Sequence, residues 1–153
     1  MNNRVILGKD NFDLEEFREK MIYDDTDAVV TSIELARDKR KGIKLESVEI
    51  ESYGSPTRNS MEKIKDVVRK RFDISNIVII QRVGKFIPGE NITGILISAP
   101  ERGEALEALA MALDMFETHV PIKKRVTTVD GREYWIKRAD EVMNLYGQVA
   151  EGI

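Results

Sequence analysis

The amino-acid sequence predicts an α+β fold, in which helices pack on mixed β-sheets to form a sandwich, and not a doubly wound parallel sheet. First, the chain has 153 residues, 42% hydrophobic and 33% charged, which suits one globular domain spanning residues 1–153. Second, segments with helical periodicity alternate with segments rich in β-branched residues. Third, the predicted order is β-α-β-β-α-β-β-α-β-β-α, so most strands come in consecutive pairs.

The first third of the chain predicts a short strand, a short helix and two longer strands. The short strand is at residues 5–7, and the helix begins after Asp13. The hydrophobic side chains of this helix share one face, and they are Leu14, Phe17 and Met21. Residues 27–35 and 45–53 are rich in β-branched residues, which favours strands. The segment between these strands, ARDKRKGIK, predicts a basic loop.

A second helix is predicted from Ser55 to about Phe72. Ser55 is a suitable N-cap, and Pro56 suits the first helical position because an N–H has no helical partner there. Hydrophobic residues recur at helical spacing, at Met61, Ile64, Val68 and Phe72. The helix ends in the basic sequence RKR, which suits the negative end of the helix dipole.

A β-hairpin is predicted next, with strands at residues 77–86 and 91–98. These segments read IVIIQRVGKF and NITGILIS, and the β-branched residues in both favour strands. In the connection at residues 87–90, Pro88 precedes Gly89. This order favours a type II turn, because its third position needs a positive φ.

The last part of the chain predicts a third helix, a second hairpin and a final helix. Ser98 and Glu101 have the spacing of a capping box, so the third helix should begin here. Its predicted buried stripe consists of Ala105, Leu106, Leu109, Leu113 and Phe116. The elements that follow are a strand at 120–128, an Asp-Gly turn at 130–131, a strand at 133–136 and a helix at 140–149.

Composition excludes several classes of function. The formal net charge of −3 and the pI near 5.4 give no general attraction to nucleic acid. The absence of cysteine excludes disulfides, cysteine-ligated metals and a thiolate of the protein's own, and one histidine excludes a histidine-rich metal site. We therefore expect no metal and no cofactor. Because the sequence has neither a signal peptide nor an apolar run of roughly 20 residues, we predict a cytoplasmic protein that enters no membrane.

Cationic side chains near predicted strand ends and helix starts are the remaining candidates for chemistry. They are Arg37, Lys39, Arg40, Lys41, Arg82, Arg102, residues 123–125, Arg132, Lys137 and Arg138. Together they could bind a phosphate, whereas each one alone is more typical of a solvated surface. Strand alternation puts Lys123 and Lys124 on opposite faces, so only one should enter a pocket. Arg102 lies in the first turn of the third helix, where free N–H groups favour an anion.

Four segments in order resemble the large, catalytic subunit of the molybdopterin synthase family. They read DAVVTSIELARDK, VEIESY, NIVIIQRVGKFIPGENITGILISAPERGEALEA and VPIKKRVTTVDGREYW, and they span residues 27–135. The resemblance implies an α/β hammerhead fold, a homodimer and a small ubiquitin-like sulfur-carrier subunit with a C-terminal Gly-Gly thiocarboxylate. The implied reaction transfers sulfur from two such thiocarboxylates to cyclic pyranopterin monophosphate, forming the dithiolene of molybdopterin.

The resemblance also implies roles for particular residues. Lys124 matches the catalytic lysine of the family, and the matches to its substrate-binding cations are Arg37, Arg102, Arg125 and Arg138. Arg82 and Gly84 match a structural hairpin entry. The chain departs from the family pattern at Glu101, which replaces histidine, at Glu117, which replaces lysine, and at Lys123, which replaces tryptophan. Further departures are Val126 for glutamate, Gln81 for histidine and Ala36 for valine.

These departures leave alternatives open. Two carboxylates at positions where a phosphate pocket has histidine and lysine would repel an anionic substrate. One alternative is therefore a non-catalytic homologue that keeps the dimer and the carrier-binding surface. Another, independent of the resemblance, is a small phosphate- or nucleotide-binding module that uses the same cations.

Overall fold

The computed structural model describes residues 3–136 and 142–144. Within them, the helices are α1 (Leu14–Glu19), α2 (Ser55–Arg71) and α3 (Arg102–His119). The strands are β1 (Arg4–Gly8), β2 (Ala28–Leu35), β3 (Lys39–Arg40), β4 (Ile43–Ser52), β5 (Asn76–Arg82), β6 (Gly84–Phe86), β7 (Asn91–Ala99), β8 (Ile122–Thr128), β9 (Glu133–Ile136) and β10 (Val142–Asn144). No helix in this part of the chain is both long enough and apolar enough to cross a membrane.

The first sheet has the strand order β1-β5-β7-β2 and mixes parallel with antiparallel pairs. β1 runs parallel to β5, and the other neighbours are antiparallel, so the predicted mixed sheet is confirmed. β5 is buried on both faces. Its residues Ile77 and Ile79 pack into a cluster with α2 and α3, whereas Val78 and Ile80 pack with α1 and its flanking residues on the other face. Two-sided burial explains why this strand is a continuous hydrophobic run.

The second sheet has the order β10-β9-β8-β4-β3, and β6 also pairs with β4. Its core includes Val48, Phe86 and Val126. Ile122 packs against both this cluster and the cluster under α2 and α3, so the two sheets share a hydrophobic core. The basic segment between β2 and β4, predicted as a loop, contains the short strand β3, and Arg40 in that strand is buried.

The strand predicted at residues 77–86 is two strands in two different sheets. β5 ends at Arg82, and β6 begins at Gly84, whose φ of 129° is a conformation that favours glycine. Arg82 stabilises this crossing, because its guanidinium donates to the Asn91 carbonyl at 2.9 Å and lies over the Phe86 ring. The structural role expected of Arg82 and Gly84 is confirmed.

The predicted type II turn joins β6 to β7. The Glu90 N–H donates to the Ile87 carbonyl at 3.2 Å, and Gly89 has a φ of 93°. The Asp130-Gly131 turn between β8 and β9 is also confirmed, and Gly131 has a φ of 89°. Both turns form where glycine supplies a backbone angle that other residues rarely adopt.

The predicted start of α1 after Asp13 is confirmed, whereas the predicted starts of α2 and α3 are wrong in detail. α2 begins at Ser55 itself, with Gly54 as the N-cap at a φ of 74°, so Ser55 does not cap the helix. α3 begins at Arg102, and its N-cap Glu101 makes no side-chain cap hydrogen bond. Ser98 lies buried inside β7, three residues before the cap, so no capping box forms. Ser98 belongs to the sheet because β7 continues to Ala99 and pairs with β2 over its full length.

The predicted buried stripe of α3 is right for Ala105, Leu109 and Phe116, which are buried or packed against the core, and wrong for Leu106 and Leu113. Ala105, Ala108 and Ala112 are buried, whereas the side chains of Leu106 and Leu113 are 52% and 39% exposed. The three alanines share one helical face. Small side chains there let α3 lie close to α2 and to the first sheet, and Leu106 and Leu113 lie outside this close contact.

The helix predicted at residues 140–149 is wrong where the structure describes it. Val142–Asn144 form β10, which pairs antiparallel with β9. The remaining residues of that predicted helix lie outside the described residues. Hydrogen bonding to the free edge of β9 therefore determines the structure of these three residues, although their local sequence pattern is helical.

Replacing Gly94 with alanine should destabilise the fold. A Cβ at Gly94 would lie 3.0 Å from two carbons of the Phe12 ring, so the ring must shift within a packed cluster. Overpacking of this kind costs about 1–3 kcal/mol in the free energy of unfolding. Urea denaturation of Gly94→Ala measures the loss.

Gly103→Ala is the matched control, because a Cβ at this helical position meets no atom within 4 Å. This substitution should raise the free energy of unfolding by about 0.4–1 kcal/mol. Equal stability of Gly94→Ala and the unmodified protein would show that the Phe12 ring moves aside freely.

Candidate functional site

A cavity of about 580 Å³ lies where the end of β2, the last turns of α3 and the strand β8 meet. Its charged lining consists of Glu34, Arg37, Arg40, Glu117 and Lys124. The rest of its wall is largely apolar, with Ile95, Leu113, Phe116, Val120, Ile122 and Ile136. Three cations and two carboxylates leave one positive charge in excess, so the cavity can receive an anion against an apolar wall.

Elements far apart in the sequence supply these charges. Glu34 lies at the end of β2, and a β-bulge follows it at Leu35. Arg37 comes just after β2, and Arg40 lies in β3. Such a bulge bends a strand and commonly redirects side chains beside a functional site. The predicted Arg37 and Lys124 therefore line the same cavity.

Lys124 makes an ion pair with Glu34. The Lys124 Nζ lies 3.0 Å from the Glu34 Oε2, and the two side chains are 22% and 48% exposed. Lys124 belongs to β8 in the second sheet, and Glu34 belongs to β2 in the first. The ion pair thus joins the two sheets across the cavity.

The other carboxylate oxygen of Glu34 contacts Thr93. Thr93 Oγ1 lies 3.0 Å from Glu34 Oε1 and 2.8 Å from Gln81 Oε1. The Gln81 Nε2 in turn donates to the Arg82 carbonyl at 2.8 Å. A polar chain therefore runs from the interior of the first sheet to the ammonium group of Lys124.

The opposite face of β8 carries Lys123 and Arg125. The Lys123 ammonium lies 5.7 Å from the centre of the Tyr53 ring. The Arg125 guanidinium pairs with Glu49 at 2.6 Å and lies 5.6 Å from the centre of the Trp135 ring. The hydrogen bond with Glu49 raises the pKa of Arg125. The expected alternation is confirmed, because Lys124 alone of these three cations lines the cavity.

Arg102 is not brought to this cavity within one chain. It is exposed at the first position of α3, eleven residues before Leu113, the nearest cavity-lining residue of that helix. This separation corresponds to about 16 Å along the helix axis. Glu101 precedes it and is also exposed. Arg138 lies outside the described residues.

Sequence reasoning missed two residues of the site, Glu34 and Thr93. Glu34 is the one charged residue in the strand AVVTSIEL, and a charge in an otherwise uncharged strand is a signal that could have identified it. Thr93 carries no such signal, since threonine is common in strands. His119 is exposed at the end of α3 and does not line the cavity. Among the described residues, no group of three or more histidine, aspartate or glutamate side chains could hold a metal ion.

Comparisons with known proteins agree on one family. The family model described as MoaE protein matches residues 7–119. The molybdopterin synthase catalytic subunit of Pyrococcus abyssi is 33% identical over 133 residues, which cover 87% of this chain and 89% of that protein. The same subunit of Escherichia coli K12 is 27% identical over 135 residues, covering 88% of this chain and 89% of that protein.

Solved structures show the same fold. Molybdopterin synthase from Staphylococcus aureus superposes with a TM-score of 0.79 at 26% identity, covering 87% of this chain and 96% of that one. A chain of the complex of subunits 1 and 2 of molybdopterin-converting factor from Helicobacter pylori superposes with a TM-score of 0.71. At 15% identity, with 90% of each chain covered, this second match supports the fold alone.

Proposed function

The chain belongs to the MoaE protein family, and on this basis we propose that it is the catalytic subunit of a molybdopterin synthase. It serves molybdenum cofactor biosynthesis by transferring sulfur to cyclic pyranopterin monophosphate. The sulfur donor is the C-terminal thiocarboxylate of a small ubiquitin-like carrier subunit. The observation that carries this proposal is the cavity that Lys124, Arg37 and Arg40 line together.

The residues that line the cavity support separate roles in substrate binding and in catalysis. Arg37 and Arg40 both line the cavity, and guanidinium groups suit the phosphate of the substrate. The apolar side chains on the α3 side suit the uncharged part of a ring system or a peptide tail. Lys124 presents an ammonium group that can donate a proton or stabilise a developing oxyanion during acyl chemistry.

Each turnover at the substrate consumes two thiocarboxylates. In each transfer a C–S bond forms at the pterin side chain where a C–O bond breaks. Water replaces the sulfur at the carbonyl carbon of the carrier, so the carrier leaves with an ordinary carboxylate. The protein contributes no sulfur of its own, since it has no cysteine. Binding, orientation and proton transfer are therefore the tasks of its side chains.

The family departures do not all reach the cavity. Lys123 lies over Tyr53 on the other face of β8, and Glu101 is at the start of α3. Of the three departures Glu101, Glu117 and Lys123, only Glu117 lines the cavity. Because three cations remain there, and the relatives are named catalytic subunits, the non-catalytic alternative is not favoured. The general phosphate- or nucleotide-binding alternative has no support from these relatives.

A homodimer would bring Arg102 into the site. Within one chain this residue lies about 16 Å along α3 from the cavity, too far for its side chain to contact a substrate bound there. We therefore propose that Arg102 of one copy completes the cavity of the other. Arg125 pairs with Glu49 outside the cavity, so its role in this proposal is structural. The cytoplasmic location stays a prediction.

Lys124→Ala should lower sulfur transfer by roughly 10²- to 10⁴-fold, the range for loss of a general acid or base. The assay is formation of molybdopterin from cyclic pyranopterin monophosphate with a thiocarboxylated carrier. Lys123→Ala is the matched control and should keep its activity, because Lys123 lies on the opposite face of β8. Equal losses in the two variants would contradict the proposed role of Lys124.

Glu117→Lys should raise kcat/KM, because it replaces a carboxylate in the cavity wall by a cation that attracts the phosphate. We expect a gain of about thirtyfold, since one pair of unit charges ~4 Å apart in water interacts by about 1 kcal/mol and the reversal replaces a repulsion of that size by an attraction of that size. Glu117→Gln, which removes the charge without reversing it, should show a smaller gain. No change in either variant would mean that Glu117 does not meet the substrate.

Mixed dimers test whether the site is shared between copies. A dimer of one Lys124→Ala chain and one Arg102→Ala chain, isolated with two affinity tags, should recover about half of the unmodified activity. One of its two sites then contains both Lys124 and Arg102, whereas neither homodimeric variant has a site that contains both. If the mixed dimer is as inactive as both homodimers, Arg102 and Lys124 do not act across the interface.

A further inference from the structure

We propose that Glu34 is a positioning residue for Lys124 and that Thr93 orients it. This inference rests on the proposed function, because it concerns the lysine assigned to sulfur transfer. It goes beyond that function because neither Glu34 nor Thr93 belongs to the expected set of site residues. Both oxygens of the Glu34 carboxylate have partners.

The Glu34 carboxylate is held at both ends. Its Oε2 lies 3.0 Å from the Lys124 Nζ, and its Oε1 lies 3.0 Å from the Thr93 Oγ1. Two contacts on opposite oxygens restrict both the position and the plane of a carboxylate. The contact with Thr93 therefore limits where the ammonium group of Lys124 can lie.

Thr93 is itself fixed by the sheet. The register of the first sheet places Glu34, Thr93 and Gln81 directly beside one another on the adjacent strands β2, β7 and β5. Gln81 is fully buried, and its amide donates to the Arg82 carbonyl. The row therefore begins at a buried anchor and ends at Glu34, which is exposed to the cavity.

The Thr93 hydroxyl has two acceptors and only one proton to donate. Oxygens of Glu34 and of Gln81 both lie within hydrogen-bond distance of its Oγ1. A charged carboxylate is a stronger acceptor than an amide oxygen, so the proton goes to Glu34 while Glu34 is ionised. Thr93 thereby orients the charged form of Glu34, the form that pairs with Lys124.

A purely stabilising role does not account for this arrangement. The ion pair is partly exposed, and ion pairs of this kind contribute little to stability. The carboxylate also lowers the positive charge of a cavity that receives an anion, so it does not serve substrate attraction. The remaining role for Glu34 is to position Lys124, because a displacement of the order of an ångström at a reacting group has a large effect on rate.

Steady-state kinetics of sulfur transfer test the proposal. Glu34→Ala should lower kcat about tenfold without raising KM for the pterin, because Lys124 is misplaced and one negative charge is lost. A rise in KM at unchanged kcat would overturn the proposal, since it would assign Glu34 to binding. Unchanged kcat and KM would overturn it as well.

Two variants of Thr93 separate the hydroxyl from its packing, and they also serve if Glu34→Ala does not fold. Thr93→Val keeps the shape but removes the donor, and it should lower kcat about threefold. Thr93→Ser keeps the donor, and it should restore kcat to within about twofold of the unmodified protein. The opposite order, with serine the poorer variant, would overturn the role of the hydroxyl.

The NMR signal of the Lys124 ammonium group tests positioning without an assay. In the unmodified protein this signal should be resolved, because the ammonium group is held by Glu34, and Lys124→Ala assigns it. Glu34→Ala should broaden it or shift it to the position of freely moving lysines. An unchanged signal would overturn the positioning role. If the signal behaves as expected but no carrier supports sulfur transfer, the proposed function fails and the positioning role stands.

Discussion

Burial of β5 and β7 on both faces is the constraint on which the rest of the structure depends. The helices α2 and α3 cover one face of the first sheet, and α1 with its flanking residues covers the other. β2 lies at the edge of this sheet, and its C-terminal end is exposed. The cavity forms at this end because the sheet can present charged side chains there without burying them.

The second sheet completes the cavity because the chain crosses between sheets at one point. β5 ends in the first sheet, and after Val83 the chain enters β6, which pairs with β4. β8 then pairs with the other edge of β4 and places Lys124 opposite β2. A site formed between two packed sheets is held by the cores of both, so its charges are well positioned.

The departures from the family pattern have different consequences because they lie in different places. At position 123 a lysine packs on an aromatic ring away from the cavity, whereas at position 117 a glutamate lines the cavity. Position 126 holds a valine that is buried in the second core, where the family pattern has a glutamate. This position therefore supplies no carboxylate to Lys124. Glu34, from the other sheet, supplies the carboxylate that Lys124 pairs with.

The sequence by itself determined the fold class, most of the strands and helices, both glycine turns and the alternation that separates Lys124 from Lys123. These features depend on local periodicity and on backbone angles that few residues adopt, so they can be read from neighbouring positions. Only the tertiary structure decided that Ala108 is buried while Leu106 is exposed, that residues 77–86 divide between two sheets, and that Val142–Asn144 form a strand. It also decided that Lys124 pairs with Glu34, 90 positions away, and that Arg102 lies outside the cavity of its own chain. Such outcomes depend on which surfaces pack together across long stretches of sequence, and no local pattern specifies that packing.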